Sequence, residues 1–279
     1  MGNKVGKLYV VGTPLGNLAD WSPRAAEVLA AADFIAAEDT RVTLKLLNHF
    51  DIKKPMVSYF EHNIYQSGEK ITARLLEGQT CALVTDAGMP AISDPGEVLV
   101  RQCHELGIPV ESVPGPCAFA TALAISGMPS GRFTFEGFLS VNKTSRFEHL
   151  NSLKNETRTM IFYEAPHKLA ATLKDMASVF GSRETAVVRE LTKIHEQVIR
   201  TTLDSAARHF AENQAKGEFV IIVKGCETAE TQDQMTYEQA VELARASVEG
   251  GMNTSLAAKE AAKISGFKKG DIYKHLISD

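Results

Sequence analysis

Short apolar runs alternate with stretches of helical spacing over the first half of the chain. Strands are expected at Lys7 to Val11, Phe34 to Ala36, Met56 to Tyr59, Cys81 to Val84 and Val110 to Val113. Between them, Pro23 follows the N-cap residue Ser22 and opens a helix through Ala25, Val28 and Leu29. Leu44, Leu46, Leu47 and Phe50 mark a second helix, and Gln66 to Glu77, Glu97 to Leu106 and Cys117 to Ser126 mark three more. Strands alternating with helices at this spacing predict a parallel sheet covered on both faces. From Phe133 the spacing changes. Strands are expected at Phe133 to Glu136, Thr159 to Tyr163, Thr185 to Arg189, Val198 to Thr202 and Phe219 to Val223, some joined by short links that suit a mixed sheet. Glu227 to Gln234 is polar without periodicity and reads as a linker, followed by helical stretches at Thr236 to Glu249, Ser255 to Ser265 and Asp271 to Ile277. The pattern therefore predicts an α/β protein of three parts: an N-terminal α/β domain (1–115), a second α/β domain (116–226), and a linker with a helix-turn-helix-like extension (227–279).

The stretch Leu83 to Glu97, L-V-T-D-A-G-M-P-A-I-S-D-P-G-E, stands apart. A plain strand-to-helix connection needs only ~2–6 residues. This one is longer, holds Asp86 and Asp94, and lets backbone approach a ligand at Gly88 and Gly96. In open α/β sheets ligands sit beyond the carboxyl ends of the strands. The loops after the first, second, fourth and fifth strands gather there, and their Gly, Pro and carboxylates predict a binding cleft.

Charge and cysteine usage narrow the function. The net charge of −4 means that any nucleic-acid contact must use local basic patches. Four cysteines without CxxC spacing suggest a reducing, cytoplasmic compartment, and no apolar run approaches the ~18 residues of a membrane span. There is no phosphate-loop motif, no G-x-G-x-x-G, no G-x-S-x-G elbow, and His195-Glu196 lacks the second His of a metalloprotease helix. No metal site is expected. What remains is a cleft of backbone, small residues and carboxylates, suited to a ligand with an aromatic part and polar groups. S-adenosylmethionine meets that description, and so do other nucleosides.

The motifs G-T-P-L-G-N-L, A-A-E-D-T-R, V-T-D-A-G-M-P-A-I-S-D-P-G, V-P-G-P-C, F-Y-E-A-P-H and V-R-E-L-T-K occur in order from Lys7 towards Val223. Together they resemble the tetrapyrrole-methylase superfamily, and within it the RsmI-type ribosomal RNA small-subunit methyltransferases. The resemblance implies two α/β domains with S-adenosylmethionine in the cleft between them, a homodimer, and 2′-O-methylation of a cytidine ribose in the decoding region of 16S rRNA of the small subunit. It implies cofactor contacts at Pro14, Asp86, Ala87, Gly88, Ala91, Cys117, Ala118, Tyr163, Leu191 and Thr192. Asp86-Ala87-Gly88 departs from the relatives' Gly-Gly-Asp type loop, which weakens side-chain inference there. A ribose hydroxyl is a poor nucleophile, so a base is sought at the strand ends: Asp39, Asp94 and Glu190 are candidates, with Arg41, Arg189 and Lys193 as phosphate contacts. Two other classes stay open: methylation of a tetrapyrrole carbon, which would share fold and cofactor, and a non-catalytic nucleic-acid-binding regulator resting on the C-terminal helices.

Overall fold

The structure is a computed structural model that describes residues 5–213, 215–227 and 235–278. Beyond Glu227, the expected linker lies outside the described residues. The chain forms two compact units, residues 1–225 and 226–279.

The larger unit carries two sheets. The first is built from β1 (Leu8–Val11), β2 (Phe34–Ala37), β3 (Met56–Ser58), β4 (Cys81–Val84) and β5 (Val110–Val113), in the order β3-β2-β4-β1-β5. Every pairing in it is parallel. β2 and β4 are buried at every position, as strands covered on both faces must be. One face is covered by α3 (Ile64–Leu76) and α4 (Gly96–Glu105), which bury Ile71, Leu75, Leu99 and Cys103. The other is covered by α1 (Pro23–Ala31) and α2 (Thr40–His49) through Ala25, Leu29 and Leu47. The Ser22 hydroxyl accepts from Ala25 N–H at 3.1 Å, so this helix starts where its cap and proline require.

The second sheet has the order β6-β7-β10-β8-β9, from β6 (Phe133–Phe138), β7 (Thr159–Glu164), β8 (Glu184–Arg189), β9 (Gln197–Thr202) and β10 (Phe219–Val223). β6 and β7 run parallel and the other pairs antiparallel, which makes the sheet mixed. α6 (Lys143–Ser152), α7 (Leu169–Phe180) and α8 (Leu203–Glu212) pack Leu150, Leu173, Met176 and Phe210 on one face. α5 (Ala118–Ser126) covers the other with Ala122 and Leu123.

The smaller unit is three helices, Tyr237–Glu249, Thr254–Ser265 and Lys269–Ser278, around Ala240, Ala244, Ala258, Ala261 and Ile272. Alanine lets these helices pack closely. Thr236 and Gln239 form a reciprocal capping box on the first, and Gly266 (φ 78°) ends the second. Among the described residues no helix is long and apolar enough to cross a membrane, and no group of His, Cys, Asp or Glu is placed to hold a metal ion.

Candidate active site

Loops at the carboxyl ends of the first sheet lock together. Thr13 and Gly88 form an isolated antiparallel bridge, with N–H to O distances of 2.9 and 3.2 Å. Thr13 Oγ1 donates to Thr85 O at 3.2 Å. The β1 and β5 loops touch backbone to backbone: a Cβ on Gly12 would lie 2.6 Å from Gly115 Cα, so neither position admits a side chain. A cleft of about 360 Å³ opens between these loops and the second sheet. Leu15, Asp86 to Met89 and Ile92 to Asp94 line it from the first sheet. Phe138, Tyr163, the Glu190 loop and Glu218 to Val220 line it from the second, with Cys117 and Ala118 at the start of α5.

Backbone strain gathers here. Among the described residues, the non-glycine residues with positive φ are Asp51, Ala91, Ser93, Glu190 and Thr192, and all but Asp51 lie in two cleft loops. Such conformations persist only where surrounding structure enforces them, and they concentrate at functional sites. Asp94 does the enforcing in one loop: it accepts from Ala91 N–H (3.0 Å), Gly96 N–H (2.7 Å) and Ile92 N–H (3.2 Å). Burial pushes its carboxyl up, and those three bonds pull it back.

Glu38 and Asp86 meet at the ends of neighbouring strands, since Ala37 pairs with Val84. Glu38 Oε2 accepts from Thr85 Oγ1 at 2.5 Å, and Asp86 Oδ1 accepts from Asp39 N–H at 3.0 Å. Partial burial raises the Asp86 carboxyl above its ordinary value, and the Glu38 charge adds to the rise. The Tyr163 hydroxyl accepts from Phe119 N–H at 3.0 Å and fastens α5. Burial pushes that phenol well up, so it stays protonated. Burial also holds the Cys117 thiol above its usual value, which makes it a packing group rather than a nucleophile.

The cleft gathers Asp86, Ala87, Gly88, Cys117, Ala118, Tyr163 and Leu191 of the expected cofactor contacts, together with Asp94, Glu190 and Lys193. The other expected residues stand around the cleft. Pro14 lines a neighbouring cavity instead. Ala91 and Thr192 lie in the cleft loops without lining the cleft. Asp39 does not line it either: it caps α2, binds Arg41 N–H at 2.8 Å, and pairs with the Arg41 guanidinium at 2.6 Å. That pairing holds its carboxyl at about 2. Arg41 stands outside the cleft with its side chain 87% exposed, and Arg189 at the end of β8 lies outside it too. Glu190 is tied to Lys193 at 3.0 Å, and Asp94 is a loop fastener.

The sequence reading missed Glu38, Phe138 and Glu218, which all line the cleft. Glu38 is one residue before the chosen Asp39, and only the β2–β4 register separates their roles. Glu218 precedes β10, whose antiparallel course sets its start beside Glu164 and Arg189. No local signal in the sequence reveals that direction.

Residues 7–207 match the Tetrapyrrole (Corrin/Porphyrin) Methylases. The chain belongs to this family. It is 48% identical over 271 residues to the ribosomal RNA small subunit methyltransferase I of Xylella fastidiosa, covering 96% of this chain and 98% of that one. Identity to the same-named protein of Thermotoga maritima is 45% over 223 residues, covering 80% of this chain and 100% of that one. The folds of a cobalt precorrin-4 methyltransferase (TM-score 0.58, 19% identity, 78% of this chain and 94% of that one) and of diphthine synthase (0.60, 13%, 78% and 89%) are similar.

Methylases of this family use S-adenosylmethionine, and the donor set fits it. Tyr163, Phe138, Ala118, Leu191 and Val220 offer apolar surface for an adenine. Glu38, Asp86, Asp94, Glu190 and Glu218 face the cleft with Lys193 as its lining cation, a balance that favours a positively charged ligand. Thr192 Oγ1 and Arg189 Nε, in the adjoining loop, are buried without a hydrogen-bond partner.

Proposed function

We propose that this protein methylates the 2′-hydroxyl of a cytidine ribose in the decoding region of 16S rRNA, acting on the small ribosomal subunit. The observation that carries this reading is whole-length identity to small subunit methyltransferase I proteins from distant bacteria, 45% over 271 residues in Synechocystis and 44% over 278 in Escherichia coli. The tetrapyrrole methylases share the fold at far lower identity. Bound S-adenosylmethionine supplies an electrophilic methyl group on a sulfonium. Ala87, Gly88, Cys117, Ala118, Tyr163 and Leu191 hold that cofactor, and the acidic lining favours its charge. Asp86 accepts the proton that the acceptor hydroxyl gives up, since it lines both the cleft and the cavity beside it and forms no salt bridge among the described residues. Arg41, Arg189 and Lys193 contribute charge towards the RNA backbone. Labelled methyl transfer to small subunits lacking this mark, run beside a tetrapyrrole mixture, is the test. The expected product is 2′-O-methylcytidine; label in the tetrapyrroles alone would overturn the reading.

Two finer features belong to the same proposal. The functional unit is a homodimer, with α5 as its natural contact: the helix is apolar on every side (A-F-A-T-A-L-A-I-S), yet it buries only Ala122, Leu123 and Ser126, leaving Ile125 exposed. Four free cysteines suit a reducing cytoplasm. We also divide the chain functionally at 115 and 226, with the first domain on the substrate side.

The helices after residue 226 form their own compact unit, and the Thermotoga relative matches only 80% of this chain while being covered whole. That unit carries Lys259, Lys263, Lys268, Lys269 and Lys274. Truncation after Cys226 should leave cofactor affinity within about twofold and weaken subunit binding about tenfold, the weight of one or two lost contacts. Each phosphate contact removed should make the log–log salt slope shallower by something under ~1. Calorimetry and filter binding across a salt series check both expectations.

A further inference from the structure

A second cavity of about 310 Å³ adjoins the cleft and shares Thr85 and Asp86 with it. The β1 loop is the partition. Leu15 faces the first cavity, whereas Pro14 and Gly16 face the second. Gly16 also seats the Lys193 stem, which approaches so closely that a Cβ there would stand 2.7 Å from Lys193 Cγ. Opposite the partition stands α2. Its Leu47 is buried in the core, while Val42, Thr43, Lys45, Leu46 and His49 line the cavity.

The two chambers differ in charge. The first is lined by carboxylates with Lys193 among them. The second has Lys45 and His49 against a single carboxylate, the shared Asp86. Arg41 continues the line, since positions 41, 45 and 49 follow one another along α2 at one-turn spacing. A chamber with apolar walls at Val42, Leu46 and Leu18 and the Lys45 ammonium and His49 imidazole at its rim suits a base and its flanking phosphates. Its volume falls within the ~300–1,000 Å³ of small-ligand pockets.

We propose that this second cavity seats the acceptor nucleotide of a single-stranded RNA segment, with its ribose towards Asp86 and its phosphates along the Arg41–Lys45–His49 line. The inference rests on the methyltransferase reading and adds to it the place where the substrate sits. Donor and acceptor then occupy adjoining chambers that share Thr85 and Asp86 in their walls. This arrangement brings the reacting hydroxyl to the carboxylate and keeps the two ligands from competing.

The test uses the full-length protein with small subunits lacking the mark. Val42→Trp fills the chamber from an exposed helix position, so the fold is kept. Subunit Kd and KM should rise about tenfold or more, while calorimetry shows cofactor Kd within about twofold. Lys45→Glu should weaken subunit binding and make the salt slope shallower by about 1. Leu44→Trp, equally exposed on α2 but outside the cavity, should behave as wild type. Normal subunit binding by Val42→Trp overturns the proposal. So does an equal loss in Leu44→Trp, which would make α2 a general docking face, and so does a parallel loss of cofactor affinity, which would join the chamber to the donor site. A wild-type protein that labels no ribosomal RNA overturns the methyltransferase reading itself, and is told apart because the unaltered enzyme fails.

Discussion

Replacing Ala118 with tryptophan should abolish S-adenosylmethionine binding and leave the protein folded. Ala118 is the first residue of α5 and lines the cleft beside Cys117, so its methyl group marks the boundary of the cofactor space. An indole there projects into a cleft of about 360 Å³ and fills a large part of it. Ala118 sits only partly buried at the margin of the cluster that holds Ala122 and Leu123, on the same face as Ala122, so the indole has room only on the cleft side. Helix formation is also spared, since tryptophan at a first-turn position costs only tenths of a kcal/mol. Cofactor Kd should rise at least about 100-fold, equivalent to about 2.7 kcal/mol, with the melting temperature within a few degrees of wild type. Titration calorimetry and a thermal melt of the same sample decide it; wild-type affinity would remove Ala118 from the pocket. Gly88→Val is a blunter variant. Gly88 has φ +89°, and a Cβ would meet Leu15 Cδ2 at 3.1 Å and Pro116 O at 3.3 Å. A β-branched residue there strains the loop itself, so loss of binding would mix blockage with rearrangement.

Much of this site was legible before the structure. The unusual length of the β4 loop, with its glycines and carboxylates, marked one wall, and Asp86 to Gly88 indeed line the cleft. The parallel sheet and the mixed sheet followed from hydrophobic spacing, because buried strands announce themselves as short apolar runs bounded by turn residues. What the spacing hid was which carboxylate does what. Asp39, Asp94 and Glu190 all follow strand ends, and all are engaged elsewhere: by a helix cap and Arg41, by three backbone N–H groups, and by Lys193. Those partners lie two or three residues away and were visible as residues, but the turns that aim them are set by positive-φ backbone at Ala91, Ser93 and Glu190. Propensity gives no hint of left-handed geometry at non-glycine positions, since tertiary contacts impose it. Glu38 and Glu218 were hidden for another reason: one depends on strand register and the other on strand direction.

Asp86→Asn should separate the proposed proton acceptor from the loop junction it fastens. Asparagine keeps the oxygen that accepts from Asp39 N–H at 3.0 Å, so the junction of the β2 and β4 loops survives. It cannot take up a proton. A positioned general base contributes ~10²–10⁴-fold, so kcat should fall about 100-fold or more while cofactor Kd changes little. The pH dependence has a definite sign. The folded Asp86 carboxyl titrates above its ordinary value, by burial first and by the Glu38 charge second. Wild-type kcat should therefore fall as pH drops through that raised value, and the variant should lose this acid limb. Stability moves the other way. A carboxyl raised in the folded state favours folding below its unfolded value, and that advantage is lost as pH rises through the folded one. At neutral pH ionised Asp86 is thus a small burden on the fold, small because it still reaches water. Asp86→Asn should melt at or slightly above the wild-type temperature at pH 7. Asp39→Asn makes the contrast. Its carboxyl lies at about 2, so its contribution is present above the unfolded value and lost as pH falls through the folded one. That variant should melt lower at pH 7 and keep its kcat. A slow, unstable Asp86→Asn would make the residue a structural fastener, and a fast Asp86→Asn with an unchanged acid limb would pass the proton to another group.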